Sequence, residues 1–164
     1  MKEGLVLFYV TTPKRLGSWS PISDREVVAK LVAKPSKLEI IQVYASTSDS
    51  EDVEVGKFYE KVEKGKGYLK FQGIIMIMGD VNAKVEDERV EDVVWPRGIG
   101  IVNERGSRLI EWCQINDFTI TNTLCENHLR RQWTWKRPGD RSRNKMDYIL
   151  IQIRCQKIQI IAGS

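Results

Sequence analysis

Ile74-Ile75-Met76-Ile77-Met78-Gly79-Asp80-Val81-Asn82 joins an unbroken apolar run to a glycine, an acid and an amide. An apolar run of this length bounded by turn residues predicts a strand covered on both faces. The run stops at Gly79, which leaves Asp80 and Asn82 at the exit of a rigid element. A carboxylate and a carboxamide two residues apart at such an exit can both point into a cleft. Phosphodiester hydrolysis uses such groups: the carboxylate orients an attacking water, and the amide donates to a phosphoryl oxygen as charge develops. Gly-Asp-x-Asn is also an ordinary turn composition, so these residues alone leave both readings open.

Upstream, residues 38–45 (Leu-Glu-Ile-Ile-Gln-Val-Tyr-Ala) read as a strand. Residues 26–33 alternate loosely and end at the turn Lys34-Pro35-Ser36-Lys37, so the two segments pair as a hairpin. Residues 5–10 form another short apolar run, closed by Thr11-Thr12-Pro13, the pattern of a buried strand. Before the central strand, residues 46–50 are rich in helix N-caps. Val55, Phe58, Tyr59 and Val62 then recur at helical spacing, with Glu51 and Asp52 in the first turn. This predicts an amphipathic helix that frays in Lys64-Gly65-Lys66-Gly67.

Downstream, residues 87–100 read as a long polar loop, and residues 104–114 as a helix presenting Leu109, Ile110, Trp112 and Cys113. Residues 118–121, 132–136 and 146–153 read as short strands, the last two separated by the turn Pro138-Gly139-Asp140. Strands mixed with helices and hairpins predict an α/β layered domain and not a parallel βαβ array.

The chain has 164 residues, a size that suits one domain. Its cysteines, Cys113, Cys125 and Cys155, are odd in number and lack CxxC spacing, which argues against disulfides and a zinc cage. They read as small buried residues with free thiols. No apolar run reaches the length of about 18 residues that crosses a membrane. The apolar run at 5–10 is too short for a signal peptide, so an intracellular protein is expected.

Net charge is +4, but its distribution says more. Arg130, Arg131, Lys136, Arg137, Arg141, Arg143, Lys145, Arg154 and Lys157 are opposed locally only by Asp140 and Asp147. Such a cluster attracts a polyanion such as DNA, or simply keeps a face solvated. The interleaved Trp133 and Trp135 can stack on bases. Two further residues can carry chemistry. Tyr44 ends its strand beside hydroxyls, where a phenol can hydrogen-bond a phosphate or act as a core tyrosine. Asp147 enters an apolar strand, where an acid needs a partner.

Taken in order, Val43-Tyr44-Ala45-Ser46-Thr47, Gly79-Asp80-Val81-Asn82-Ala83-Lys84-Val85, Asn103-Glu104-Arg105-Gly106-Ser107-Arg108-Leu109-Ile110-Glu111, Trp133-Thr134-Trp135 and Met146-Asp147-Tyr148-Ile149-Leu150 resemble the endonuclease/exonuclease/phosphatase family. Within it the chain is similar to the endonuclease domain of RTE-type retrotransposons and to the craniofacial development protein 2-like proteins that carry a domesticated copy. The resemblance covers residues 18–157.

It implies a four-layer sandwich of two packed β-sheets flanked by helices, and Mg2+-dependent hydrolysis of DNA. By position, Asp80 corresponds to the water-orienting carboxylate, Asn82 to the phosphate-binding amide, Tyr44 to the active-site phenol and Asp147 to the acid that orients the catalytic histidine. Arg131, Trp135, Lys136, Arg137, Arg141, Arg143 and Asn144 would lie on the DNA side.

The chain departs from the family pattern at both ends. No strand with the metal-binding glutamate precedes residue 5, and the chain stops before the Ser-Asp-His motif that supplies the histidine; His128 is assigned to a surface loop. The expectation is therefore one domain over residues 1–164, incomplete at both ends. No metal ligand is assigned, the Mg2+ site is expected to be incomplete, and catalysis weak or lost. Open sheet edges would invite self-association. The alternative is a catalytically inactive module that binds nucleic acid or protein. A third possibility, a degenerate reading frame, fits Ser46 where relatives tend to have proline and Val81 where they have an aromatic residue.

Overall fold

The computed structural model of the chain describes residues 16–32, 37–45, 52–69, 73–85, 88–96, 101–124, 135–136, 143–144 and 147–152. The strand expected at 5–10, the turn at 138–140, His128, Cys125 and Cys155 lie outside these residues. The chain divides into two compact units at the Asn82–Ala83 bond.

The first unit is a mixed sheet under one helix. Strands β1 (Leu16–Pro21), β2 (Glu26–Leu31), β3 (Lys37–Tyr44) and β4 (Gly73–Asp80) lie in sequence order. The pairs β1–β2 and β2–β3 are antiparallel, so the expected hairpin is present, while β3 and β4 are parallel. A parallel neighbour requires a crossover, and helix α1 (Asp52–Gly67) supplies it. Strand β1 is an addition to the sequence reading. Its Leu-Gly-Ser-Trp-Ser-Pro carries no apolar alternation, and its pairing with β2 shows an irregular register between Leu16 and Ser18.

Helix α1 buries Val55, Phe58, Val62 and Gly65 and packs on β2 and β3. The helix does not fray at Lys64 as the glycines suggest; it runs through Gly67. Gly65 packs closely: a Cβ on it would sit 2.7 Å from the end of the Ile22 side chain and 3.5 Å from that of Ile41. Acids in the first turn (Asp52, Glu54) and lysines in the last (Lys64, Lys66) suit the helix dipole.

Strand register sets Val28, Ile41 and Ile77 side by side, all nearly inaccessible, and this row forms the centre of the core. β4 departs from the expected double coverage. Ile75 and Ile77 are buried, while the alternate Ile74, Met76 and Met78 are half-buried.

The second unit holds α2 (Glu104–Asn116), β5 (Phe118–Ile120), β6 (Trp135–Lys136), β7 (Arg143–Asn144) and β8 (Asp147–Gln152). Strand β5 pairs antiparallel with β8, and β6 with β7. Asn103 caps α2, its side chain accepting from the Gly106 N–H, and Asp117 ends the helix in the left-handed conformation at φ 59°. Leu109 and Cys113 face inward, and Trp112 packs on Phe118 with ring centres 5.4 Å apart. β5 stops one residue earlier than expected because residues 121–123 turn into a short 3-10 helix. Within the segment expected to be loop, Val90 and Val94 form a bridge, and Ile120 N–H donates to Val93 O at 2.8 Å. No described helix is long and apolar enough to cross a membrane.

Candidate active site at the ends of β3 and β4

Because β3 and β4 run parallel, their exits lie side by side, and Tyr44 is the register partner of Asp80. Ala45 N–H extends the pairing by donating to Asp80 O at 2.8 Å. Two backbone conformations then turn the chain. Gly79 sits at φ 141°, and a Cβ there would lie 1.9 Å from Val43 O, so the position tolerates only glycine. Asn82 sits at φ 51°, in the left-handed region where asparagine is among the best-tolerated residues.

The two side chains singled out by the sequence lock this turn. Asp80 Oδ1 accepts the Asn82 N–H at 2.8 Å, and Asn82 Nδ2 donates to Ala45 O at 3.1 Å. The turn reading and the chemical reading thus concern the same atoms. Neither bond exhausts its group, since a carboxylate accepts about four hydrogen bonds and an amide NH2 donates two. Asp80, Asn82 and Tyr44 are each half-buried, so a substrate can reach them.

Tyr44 also lines a cleft of about 180 Å3 over Phe58, ringed by three acids (Asp24, Glu26, Glu54) and three cations (Arg25, Lys57, Lys61). Glu26 is the unexpected member. It is only 1% exposed, accepts a hydrogen bond from the Ser23 hydroxyl and lies 4.0 Å from Lys61 Nζ. The charged triplet Asp24-Arg25-Glu26 at a strand start was the available signal for it.

The remaining candidates belong to the second unit. Asp147 opens β8 and is exposed, because strand alternation turns its neighbour Tyr148 inward instead. Its backbone carbonyl accepts from Asn122 Nδ2 at 3.4 Å. On the β6–β7 pair, Trp135 is opposite Asn144 and Lys136 opposite Arg143. Arg131, Arg137 and Arg141 lie outside the described residues. Asn103 and Tyr148 escaped the sequence reading as functional candidates, although an asparagine directly before a predicted helix is a capping signature.

The described residues do not fit a metal ion. At the end of β4 the donor is the single carboxylate of Asp80, already engaged by Asn82. Among the described residues no three or more His, Cys, Asp or Glu stand together in a way that could hold a metal. They do not form a Mg2+ site by themselves, and no step below is routed through one.

The mixed sheet with its helices is an α/β fold like that of endonuclease/exonuclease/phosphatase domains. The endonuclease domain of TRAS1, a telomere-specific non-LTR retrotransposon, superposes with a TM-score of 0.58 over 84% of this chain and 56% of that one, at 16% identity. TDP2 of D. rerio, solved with a single-strand DNA product, gives 0.57 over 84% and 53%, at 12% identity. These likenesses establish the fold.

In sequence, the chain is homologous to craniofacial development protein 2. It is 39% identical to the Bos taurus protein and 36% to that of Tragulus javanicus, over 132 residues that make up 80% of this chain. It spans only 22% and 23% of those two relatives. No family model matches the chain.

Proposed function

We propose that the chain is an endonuclease-like domain derived from a Mg2+-dependent DNA phosphodiesterase of a retrotransposon, with catalysis that is weak or lost and a Mg2+ site that is incomplete. The observation that carries the proposal is the meeting of Tyr44, Asp80 and Asn82 at the exits of β3 and β4. In this reading the Asp80 carboxylate orients the attacking water and the second N–H of Asn82 donates to the phosphoryl oxygen. The Tyr44 phenol hydrogen-bonds the phosphate. Asp147 corresponds to the acid that in the family orients the catalytic histidine, and residues 1–164 are taken as one domain with a four-layer sandwich. The β6–β7 residues Trp135, Lys136, Arg143 and Asn144, with Arg131, Arg137 and Arg141, provide the DNA contacts. The DNA product held by the TDP2 neighbour and the retrotransposon source of the TRAS1 domain support the choice of substrate.

Nicking of supercoiled plasmid tests this directly. Any relaxed circles should form only slowly with Mg2+, and both EDTA and Asp80→Ala should reduce them to background. Equal nicking by wild type and Asp80→Ala sinks the assignment. The engagement of Asp80 and Asn82 in their own turn favours a second reading, a module that binds DNA without cutting it. It predicts salt-sensitive binding, weakened by Arg137→Glu with Arg141→Glu, in the absence of nicking.

A further inference from the structure

The cleft over Phe58 is formed wholly within the first unit, and its deepest charged group, Glu26, has no part in the chemistry assigned above. Glu26 lines the cleft from the start of β2 and is only 1% exposed. Its Oε2 accepts from the Ser23 hydroxyl and lies 4.0 Å from Lys61 Nζ, beyond hydrogen-bonding reach. Its Oε1 has no partner among the described residues, yet it is not sealed from solvent, so it opens on the cleft. A carboxylate this deep with an oxygen left over is completed by an N–H donor. The rest of the lining narrows the choice. Three acids and three cations balance one another, which suits a ligand with a donor end and an anionic end better than a plain cation or a plain anion. Phe58 adds the apolar surface on which a flat ring rests. A planar donor joined to an anion describes a nucleobase with its phosphate. Guanine alone among the DNA bases sets two N–H donors, N1–H and the N2 amine, side by side on its pairing edge, matching the two oxygens of one carboxylate. Adenine and cytosine place an acceptor beside their amine, and thymine flanks its N–H with two carbonyls. The Ser23 bond leaves Oε2 a further lone pair for this purpose.

We infer that this cleft binds an unpaired guanine nucleotide, its base on Glu26 and its phosphate on Lys57 and Lys61, which stand one turn apart on α1. The inference deepens the nucleic-acid reading above and rests on it for the polymer that carries the guanine. Tyr44 lines the cleft and is the register partner of Asp80, so the guanine site lies beside the candidate turn. A base reaches such a site only from a single strand or turned out of a duplex.

NMR titration of the full chain with the four deoxynucleoside monophosphates and with deoxyinosine monophosphate tests this. Deoxyguanosine monophosphate should shift the Glu26 and Phe58 amides. It should bind about tenfold more tightly than deoxyinosine monophosphate, which lacks only the N2 amine, and by at least as much over the other three. Glu26→Gln exchanges two acceptors for one acceptor and one donor, so the preference for guanine over adenine should vanish. Lys57→Ala, at an exposed position, should weaken the monophosphate severalfold and leave the nucleoside deoxyguanosine unchanged. Equal affinity for all four bases, no binding of deoxyguanosine monophosphate, a guanine preference that survives Glu26→Gln, or shifts confined to residues outside the cleft overturns the inference. Should Glu26→Gln fail to fold, guanine against inosine on wild type, together with Lys57→Ala, decides. The titration needs no cleavage, so the two readings fail separately. A chain that selects guanine without nicking keeps this site whatever becomes of the nuclease reading. Nicking that Asp80→Ala abolishes, without guanine selection, keeps the nuclease reading and removes the site.

Discussion

Asn82 donates its side-chain amide to the carbonyl oxygen of Ala45 at 3.1 Å, tying the exit of β4 to that of β3. Its backbone N–H is taken by Asp80 at 2.8 Å, so one residue is anchored at two points 37 and 2 residues away in sequence. An asparagine here does what an aspartate of the same shape cannot, because the bond to Ala45 O requires a donor.

Asn82→Asp is accordingly expected to destabilise by about 1–3 kcal/mol at neutral pH. It replaces an N–H donor with a carboxylate facing a carbonyl oxygen. Facing a carbonyl oxygen raises the introduced acid's folded pKa, and protonating it restores a donor, so the loss should shrink as pH falls toward the unfolded carboxylate value of about 4 and be mostly gone below it. Urea unfolding at neutral and acidic pH, each referred to wild type at the same pH, measures it. A deficit that is equal at both pH values contradicts the donor argument.

Gly79→Ala is expected to be among the most damaging single substitutions in the first unit. A methyl group would sit 1.9 Å from Val43 O, and the residue would have to hold φ 141°. The colliding atom is backbone within a paired strand, so β3 or β4 must move. We expect a loss of at least about 3 kcal/mol, read as a lowered Tm or failure to accumulate as soluble protein. A melting temperature within a degree of wild type would refute this.

The elements that sequence reasoning located are those whose signals are local. The apolar run before Gly79, the hairpin across Lys34-Pro35-Ser36-Lys37 and the spacing of Val55, Phe58 and Val62 each declare an element without reference to distant partners. β1 did not, because Leu-Gly-Ser-Trp-Ser-Pro becomes a strand through pairing with β2. Gly65 misled for a related reason: an isolated glycine near a helix end suggests a terminus, whereas here it lies inside the helix, close against the Ile22 and Ile41 side chains. Asp80, Asn82 and Tyr44 stood out in the sequence as candidates because they form parts of a motif. Glu26 and Tyr148 read as strand residues, and their roles come from partners 35 and 63 residues away.

Asn103 presents another separable prediction. Its side-chain oxygen serves both Gly106 N–H at the start of α2 and Lys84 N–H, each at 2.9 Å. Asn103→Ala removes a helix cap, worth about 1 kcal/mol, and strands the Lys84 amide, adding about 1–3 kcal/mol. Asn103→Asp retains the acceptor and should recover most of the loss. Denaturant midpoints of the three proteins test the order; an alanine variant as stable as wild type would show that water replaces both bonds.

Cys113 gives a prediction on chemistry and pH together. The residue is inaccessible, and burial pushes its thiol well above the ordinary range, since an anion there would have no solvent. In a Cys125→Ser, Cys155→Ser background the native protein should therefore resist thiol reagents at pH 8 and react fully once unfolded. The stability consequence follows from the sign of the shift. With its folded pKa raised, the thiol contributes fully to stability below the unfolded value of about 8.5. That contribution is lost as pH rises, because the unfolded chain ionises there and the folded chain does not. Unfolding measured from pH 7 to 10 should show a decline that Cys113→Ala, whatever its lower starting stability, lacks. Parallel curves for the two proteins, or rapid native labelling, would mean that the thiol side of α2 opens to water.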